Sequence, residues 1–150
     1  MKGIAIDDLI IIGGEHAFMV YEAALLSGQF SVVGFLDRQP GPWAMHAISE
    51  PMMLRRAFRS TFVVGIGTMQ ARPARRQLIG RLVLKRWASI IHPRAFVSPS
   101  ATIGPGSVVM PGAIVNARSM IGHHCIINSG AAVEQDVRVG LRGVPAKPRR

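Results

Sequence analysis

The sequence predicts a small α/β domain with a parallel sheet, followed by a short parallel β-helix. Over roughly the first 90 residues, short aliphatic runs alternate with helical patterns, which is typical of parallel β-α-β units. From Val97 to Val139 an aliphatic residue instead recurs at every sixth position. A hydrophobic fraction of 49% with only 17% charged residues excludes a disordered chain.

The six-residue period predicts one short strand and one corner per repeat, with three repeats closing a triangular coil. Residues three repeats apart should stack, so we expect Val97 in line with Val115 and Val133. Glycine or asparagine follows several aliphatic positions, as at Gly104 and Asn128, where we expect the chain to turn. The eight repeats predict two and two-thirds coils. The inward aliphatic positions are Val97, Ile103, Val109, Val115, Ile121, Ile127, Val133 and Val139.

The N-terminal part has the element order of a nucleotide-binding unit. Residues 9–12 are an apolar run that predicts a buried parallel strand ended by a glycine pair. Residues 16–27 have helical spacing, and residues 30–36 predict a second strand that ends at Asp37. This order indicates a Rossmann-like βαβ unit, in which turn amides approach a phosphate and the acid holds a ribose hydroxyl.

The nucleotide-binding fingerprint is incomplete. The full G-x-G-x-x-G pattern is absent, because Gly13 and Gly14 are followed by Glu15. An acid at a helix N-terminus suits the helix dipole but repels a phosphate. A strand-turn-helix that binds no ligand therefore remains the alternative.

Four further elements are expected before the repeats. They are a short helix at 51–59 after a loop, a strand at 61–66, a helix at 70–87 and a short strand at 89–91. The chain then divides near residue 90. Residues 1–90 form the predicted α/β domain, and residues 91–150 form the predicted β-helix.

The charge and the cysteine count bound the partners and the compartment. The formal net charge is +10, but the basic residues are dispersed and not interleaved with aromatic ones, so no nucleic-acid partner is expected. A positive surface also suits a phosphorylated small molecule or a coenzyme. A lone Cys125 excludes a disulfide framework and favours a reducing compartment. No apolar run reaches the ~20 residues of a membrane helix, and Asp7 and Asp8 interrupt the start, so we expect a cytoplasmic protein.

Histidine and cysteine cluster once, at His123, His124 and Cys125. Three adjacent residues of an extended segment cannot all face one ion, so no metal site is expected there. His46 and His92 have no partner nearby in sequence, and we interpret them as surface or core side chains.

Six short motifs, spread over nearly the whole chain, are together typical of one protein family. They are residues 12–16 (Ile-Gly-Gly-Glu-His), 33–37 (Val-Gly-Phe-Leu-Asp), Ile66-Gly67 with Arg72, 91–93 (Ile-His-Pro), 126–128 (Ile-Ile-Asn) and 143–148 (Gly-Val-Pro-Ala-Lys-Pro). With these motifs the chain resembles the left-handed β-helix sugar O-/N-acetyltransferases, which acetylate nucleotide-linked amino sugars or sialic acid. The combination with the N-terminal motifs makes the resemblance sharper than hexapeptide repeats alone would.

The resemblance implies a homotrimer of left-handed prisms, with acetyl-coenzyme A as co-substrate between adjacent prisms and no metal. It also implies a nucleotide-sugar substrate held by the N-terminal domain and a role in polysaccharide biosynthesis. The substrate-binding positions that it assigns are Gly14, Glu15, His16, Asp37, Arg38 and Gly67.

The catalytic motif of this family reads Val-Glu-His-Asp, with the histidine as general base and the following acid holding the imidazole. Here the motif is Val133-Glu134-Gln135-Asp136, so the resemblance assigns the catalytic positions to Gln135 and Asp136. A glutamine amide does not titrate and cannot take the proton.

A second departure follows the repeats. The family continues through several more coils before its closing motif, whereas here Leu141-Arg142 joins the repeats directly to Gly143. Two functions therefore remain open. One is an acetyltransferase of impaired activity, and the alternative is a non-catalytic nucleotide-sugar-binding relative or a partner of a full-length homologue. A dinucleotide-dependent oxidoreductase fragment is disfavoured, because repeats replace the second half of its sheet.

Overall fold

A computed structural model of the protein describes residues 6–37, 59–68, 70–82 and 86–140. The chain divides into two compact units, Met1–Trp87 and Ala88–Arg150. None of the described helices is long and apolar enough to cross a membrane. Arg38 and the closing motif at 143–148 lie outside the described residues. The predicted helix at 51–59 also lies outside them, except for its last residue, Arg59.

The described residues of the N-terminal unit form a parallel sheet of three strands in the order β2-β1-β3. The strands are β1 (Asp7–Ile12), β2 (Phe30–Leu36) and β3 (Thr61–Val64). Helix α1 (Ala17–Ser27) connects β1 to β2, and helix α2 (Arg72–Arg81) follows β3. The carboxyl ends of all three strands consequently lie at one edge of the sheet, with β1 in the middle.

The central strand explains the uninterrupted apolar run in the sequence. Leu9, Ile10 and Ile11 have no exposed surface, as expected for a strand covered on both faces. Ile10 belongs to a cluster that includes Phe62 of β3 and receives apolar side chains from α2. Helix α1 buries small aliphatic side chains, and the ring of its Tyr21 lies 5.6 Å, centroid to centroid, from the ring of Phe35 in β2.

Helix α2 is shorter than the helix predicted at 70–87. It ends at Arg81, and Leu82 already has an extended backbone with φ −82° and ψ 115°. Residues 86–87 then pair with β3. The Phe62 N–H donates to the Arg86 carbonyl at 2.9 Å, and Phe62 forms a parallel β-bridge with Trp87. This backbone pairing satisfies an edge strand that a longer helix would leave unpaired.

In the C-terminal unit, the described residues up to 140 form nine parallel strands of two residues each. They form three sheets in the orders β4-β7-β10, β5-β8-β11 and β6-β9-β12, an arrangement consistent with a left-handed β-helix. The strands are β4 (Ile90–Ile91), β5 (Phe96–Val97), β6 (Thr102–Ile103), β7 (Val108–Val109), β8 (Ile114–Val115), β9 (Met120–Ile121), β10 (Ile126–Ile127), β11 (Ala132–Val133) and β12 (Arg138–Val139).

The predicted stacking of residues three repeats apart is confirmed. Val115 pairs with both Val97 and Val133, and equivalent columns form in the other two sheets. The short strand expected at 89–91, before the repeats, is instead the first strand of the β-helix, because Ile91 pairs with Val109. Ile91 lies six residues before Val97, so the repeat begins one unit earlier than predicted. The nine strands make three coils instead of two and two-thirds.

The turns lie two residues later than predicted. A left-handed backbone recurs at every sixth residue, and the glycines that follow the aliphatic positions are not among the residues with positive φ. Those glycines instead allow close approach of successive coils, since a Cβ on Gly104 would lie 2.6 Å from the backbone of Gly122. The left-handed residues are Gly106, Gly112, Arg118, His124, Gly130 and Asp136. For the three that are not glycine, this conformation costs about 1–2 kcal/mol each.

Candidate functional site

The strand ends of the N-terminal sheet form a candidate ligand crevice. In parallel sheets of this kind, ligands bind outside the carboxyl ends of the strands. Here β1 leads into Gly13 and Gly14, β2 ends beside Asp37, and β3 leads into Gly65. Hydrogen bonds connect them, because Gly13 N–H donates to the Leu36 carbonyl at 2.7 Å and Gly65 N–H donates to the Ile12 carbonyl at 2.9 Å.

Asp37 contacts the glycine turn directly. The Gly14 N–H donates to Asp37 Oδ2 at 3.2 Å, which orients the carboxylate towards the crevice. A carboxylate offers two oxygens and accepts several hydrogen bonds. The contact with Gly14 is therefore compatible with a ribose hydroxyl on the same side chain.

Glycine is required at the turn for two separate reasons. Gly13 and Gly14 have φ of 30° and 102°, values that side-chain-bearing residues rarely adopt. A Cβ on Gly14 would also lie 2.7 Å from Cγ1 of Ile66 and 2.8 Å from the carbonyl oxygen of Gly65. The turn thus lies directly against the end of β3.

His16 lies beside the third strand end. A Cβ on Gly67 would approach Cγ of His16 to 2.6 Å, so this glycine makes room for the imidazole. Burial lowers the pKa of His16, and the positive charge of Arg75 lowers it further. Within the described part of the chain, His16 Nε2 is buried and has no hydrogen-bond partner. Since buried polar atoms are normally paired, this nitrogen marks a place where a ligand atom can bind.

The structure brings together four of the six predicted substrate-binding residues, namely Gly14, His16, Asp37 and Gly67. Glu15 is exposed, and Arg38 lies outside the described residues. Arg75 of α2, whose charge acts on His16, is not among the predicted site residues. Its position three residues before Leu78, which packs on the core, was the signal that could have found it.

The predicted catalytic residues lie on the turn between β11 and β12, within the C-terminal unit. Gln135 and Asp136 are both exposed. Arg118 donates to both carboxylate oxygens of Asp136, with Nε to Oδ1 and Nη2 to Oδ2 each at 2.7 Å. These hydrogen bonds lower the pKa of Asp136. Asp136 thus contacts Arg118, where the family resemblance would have it hold the side chain at position 135.

The histidine and cysteine cluster has a structural explanation. His124 is buried and lies against Gly106, where an added Cβ would meet the imidazole ring. The Cys125 N–H donates to Ser107 Oγ at 2.9 Å, and its thiol faces the carbonyls of His123 and Val139. Among the residues that the structure describes, no group of three or more His, Cys, Asp or Glu side chains could hold a metal ion.

No protein-family model and no curated protein matches the chain significantly. Solved structures do match. The acetyltransferase domain of PglB from Neisseria gonorrhoeae FA1090, in complex with acetyl coenzyme A, is 32% identical with a TM-score of 0.72, and the match covers 87% of this chain. PerB from Caulobacter crescentus, in complex with CoA and GDP-perosamine, is 35% identical with a TM-score of 0.72, and the match covers 89% of this chain.

These matches extend over both units, because they cover almost nine-tenths of the sequence. In the other direction, the chain spans 66% of the length of the PglB domain and of PerB. The parallel β-helix and an identity of 32–35% agree with one another. The chain therefore belongs to the hexapeptide-repeat family of sugar acetyltransferases.

Proposed function

We propose that this protein binds a nucleotide-linked amino sugar and transfers an acetyl group to it from acetyl-coenzyme A, with impaired catalysis. The observation that carries the binding part is the arrangement at the strand ends, where Gly14 and Asp37 are hydrogen-bonded at 3.2 Å and His16 Nε2 is buried with no hydrogen-bond partner among the described residues. The PerB complex, which contains GDP-perosamine, favours an amino sugar over sialic acid.

In the proposed complex the residues of the crevice have different tasks. Asp37 accepts a ribose hydroxyl, as acids after the second strand of such units do. The electrostatic influence of Arg75 on His16 places a cation near the crevice, where it would attract the diphosphate. His16 remains neutral near pH 7, so its Nε2 can form a hydrogen bond without repelling a cationic amino group. Gly67 keeps that imidazole in place.

The proposed reaction is attack of the sugar amine on the thioester carbonyl. The carbon–nitrogen bond forms, the coenzyme thiolate leaves, and the amine loses a proton to a base. A positioned general base contributes about 10²–10⁴-fold to the rate. Gln135 cannot fill that role, so an amine that arrives deprotonated reacts only through its proximity to the thioester.

The proposal for acetyl-coenzyme A rests on the PglB domain, which was solved with it bound. The family resemblance places this co-substrate between adjacent prisms, and we assign no residue of this chain to it. Because only Leu141 and Arg142 separate the repeats from the closing motif, we expect a reduced coenzyme groove. A reducing, cytoplasmic compartment is proposed from the single cysteine.

We also propose a homotrimer with the prisms side by side. Support comes from the outer face of the sheet β5-β8-β11, where Phe96 is 56% exposed and Ile114 is 41% exposed. The two residues are paired neighbours on adjacent coils, so they form one apolar patch. Contiguous apolar surface of this kind marks an interaction site.

A non-catalytic nucleotide-sugar-binding relative, or a partner of a full-length homologue, is the second candidate. Gln135 and the engagement of Asp136 by Arg118 favour it. The two candidates share the crevice and differ in chemistry, so binding and turnover must be measured separately.

The decisive experiment combines calorimetry with a thiol-release assay. GDP- and UDP-linked amino sugars are titrated first, and acetyl-coenzyme A is titrated separately. Sugar-nucleotide binding with slow thiol release supports the impaired enzyme, and binding without release supports the second candidate. Absence of sugar-nucleotide binding would overturn both.

A further inference from the structure

The turn between β11 and β12 is held by the coil that precedes it. Glu134 Oε2 accepts a hydrogen bond from Asn116 Nδ2 at 3.3 Å, and Asp136 accepts two from Arg118 at 2.7 Å. Each donor lies 18 residues, and therefore one coil, before its acceptor. Both carboxylates that flank Gln135 are thus occupied by side chains of the neighbouring coil.

Arg118 lies at a corner of the β-helix with a left-handed backbone. Its φ of 57° falls at a repeat position where three of the six left-handed residues are glycine. Its backbone N–H donates to Ser100 Oγ at 3.0 Å, and Ser100 is in turn 3.1 Å from Ser98 Oγ. The backbone that carries the guanidinium is therefore held by a hydrogen bond to the preceding coil.

We propose that Arg118 is a positioning residue that keeps the Asp136 carboxylate on the preceding coil and away from the side chain at position 135. A base introduced at position 135 would then lack its orienting acid while Arg118 is present. We take 134–137 as the catalytic turn, so the proposal depends on the proposed function. It is specific to this chain, because it requires the paired Arg118 and Asp136.

The pair is accessible to solvent, with side-chain exposures of 63% for Arg118 and 54% for Asp136. Ion pairs exposed to solvent have small interaction free energies. Two parallel hydrogen bonds make the Arg118–Asp136 pair one of the stronger exposed pairs. Removing Arg118 should therefore change the ratio between the two positions of the Asp136 carboxylate, on the preceding coil and beside residue 135, severalfold. Salt should produce part of the same shift by screening the pair.

The test uses an imidazole as reporter. Gln135→His is titrated by NMR with and without Arg118→Asn, and each variant is also prepared with Asp136→Asn. Asparagine tolerates a left-handed backbone, so Arg118→Asn keeps the corner intact. The charged residues around position 135 are Glu134, Asp136 and Arg138 in the sequence, and Arg118, which is hydrogen-bonded to Asp136. Each comparison is between two variants that differ only at Asp136, so Glu134 and Arg138 are the same in both.

With Arg118 present, Asp136→Asn should leave the imidazole pKa nearly unchanged. With Arg118→Asn, the same substitution should lower the imidazole pKa by about 1, because a nearby carboxylate stabilises the imidazolium. Arg118→Lys, which retains the charge but loses the paired hydrogen bonds, should give an intermediate value. An equal effect of Asp136→Asn in both backgrounds, or no effect in either, would overturn the proposal.

The titration needs no substrate, so it separates this proposal from the proposed function. If both hold, Gln135→His with Arg118→Asn releases thiol severalfold faster than Gln135→His alone. If the titration behaves as expected and no sugar nucleotide binds, Arg118 still controls Asp136 and the proposed function is wrong.

Discussion

The amide of Gly14 donates to the carboxylate of Asp37 at 3.2 Å, which links two positions 23 residues apart at the mouth of one crevice. The glycine turn and the acid are thus parts of a single site. This relationship also makes Asp37 a structural residue, because its carboxylate orients the turn before any ligand binds. Variants of Asp37 must therefore be assessed for both folding and binding.

Asp37→Asn should weaken sugar-nucleotide binding by about 10- to 100-fold, since hydrogen bonds to charged groups contribute about 1.5–3 kcal/mol. The amide retains an acceptor oxygen for Gly14, so the melting temperature should change little. Calorimetry measures the affinity, and Glu22→Gln, on the exposed side of α1, is the matched control. Unchanged affinity in Asp37→Asn would show that the crevice is wrongly assigned.

His16 should make stability depend on pH below about 6.5, the ordinary pKa of histidine. Burial, then Arg75, lowers its pKa in the folded state, so the unfolded state binds more protons as the pH falls. The stability from neutral His16 is fully present above about pH 6.5 and is lost as the pH falls through the lowered value. Urea denaturation at several pH values measures this loss, and His16→Gln should remove it. Arg75→Gln should raise the pKa of His16, and a fall instead would contradict the assigned cause.

Two glycines of the β-helix should respond differently to the same substitution. Gly106 and Gly130 have φ of 76° and 69°, so alanine at either position costs about 1–2 kcal/mol of backbone strain. A Cβ on Gly130 meets nothing within 4 Å, whereas one on Gly106 meets the ring of His124. Gly106→Ala should therefore lower the free energy of unfolding by more than Gly130→Ala does. Equal losses in thermal denaturation would mean that His124 moves aside without penalty.

The apolar patch of Phe96 and Ile114 should control assembly. We expect a trimer by sedimentation, and we expect Phe96→Asp with Ile114→Asp to yield smaller species, because burying unpaired carboxylates is strongly unfavourable. Leu25→Asp is a matched control, since Leu25 is 57% exposed on α1. A folded monomer at micromolar concentration in the unmodified protein would remove the proposed trimer.

Acetyl transfer by the unmodified chain should be slow, about 10²–10⁴-fold below that of an enzyme with a positioned base, and Gln135→His alone should restore little. The amide of Gln135 cannot take a proton, and Asp136 is engaged by Arg118. Thiol release measures transfer, and calorimetry with acetyl-coenzyme A measures the coenzyme groove independently. Rapid transfer by the unmodified chain would show that the family's base is dispensable here.

Much of the fold could be predicted from local sequence patterns. Period six predicted the columns through Val115, and the aliphatic run at 9–12 predicted the buried central strand. Both patterns arise because buried positions carry apolar residues, so burial can be predicted from residue type. Predictions failed where a distant backbone decided the outcome, as for the end of α2, where residues 86–87 pair with β3.

The sequence alone therefore determined the stacked columns of the β-helix and the buried central strand of the N-terminal sheet, because apolar periodicity follows directly from chain geometry. Only the tertiary structure decided that Gly14 contacts Asp37, that Arg75 influences His16 and that Asp136 is paired with Arg118. These contacts join residues 18 to 59 positions apart. Their existence depends on how strands and coils are stacked, and no local pattern encodes which charged side chains the stacking brings together.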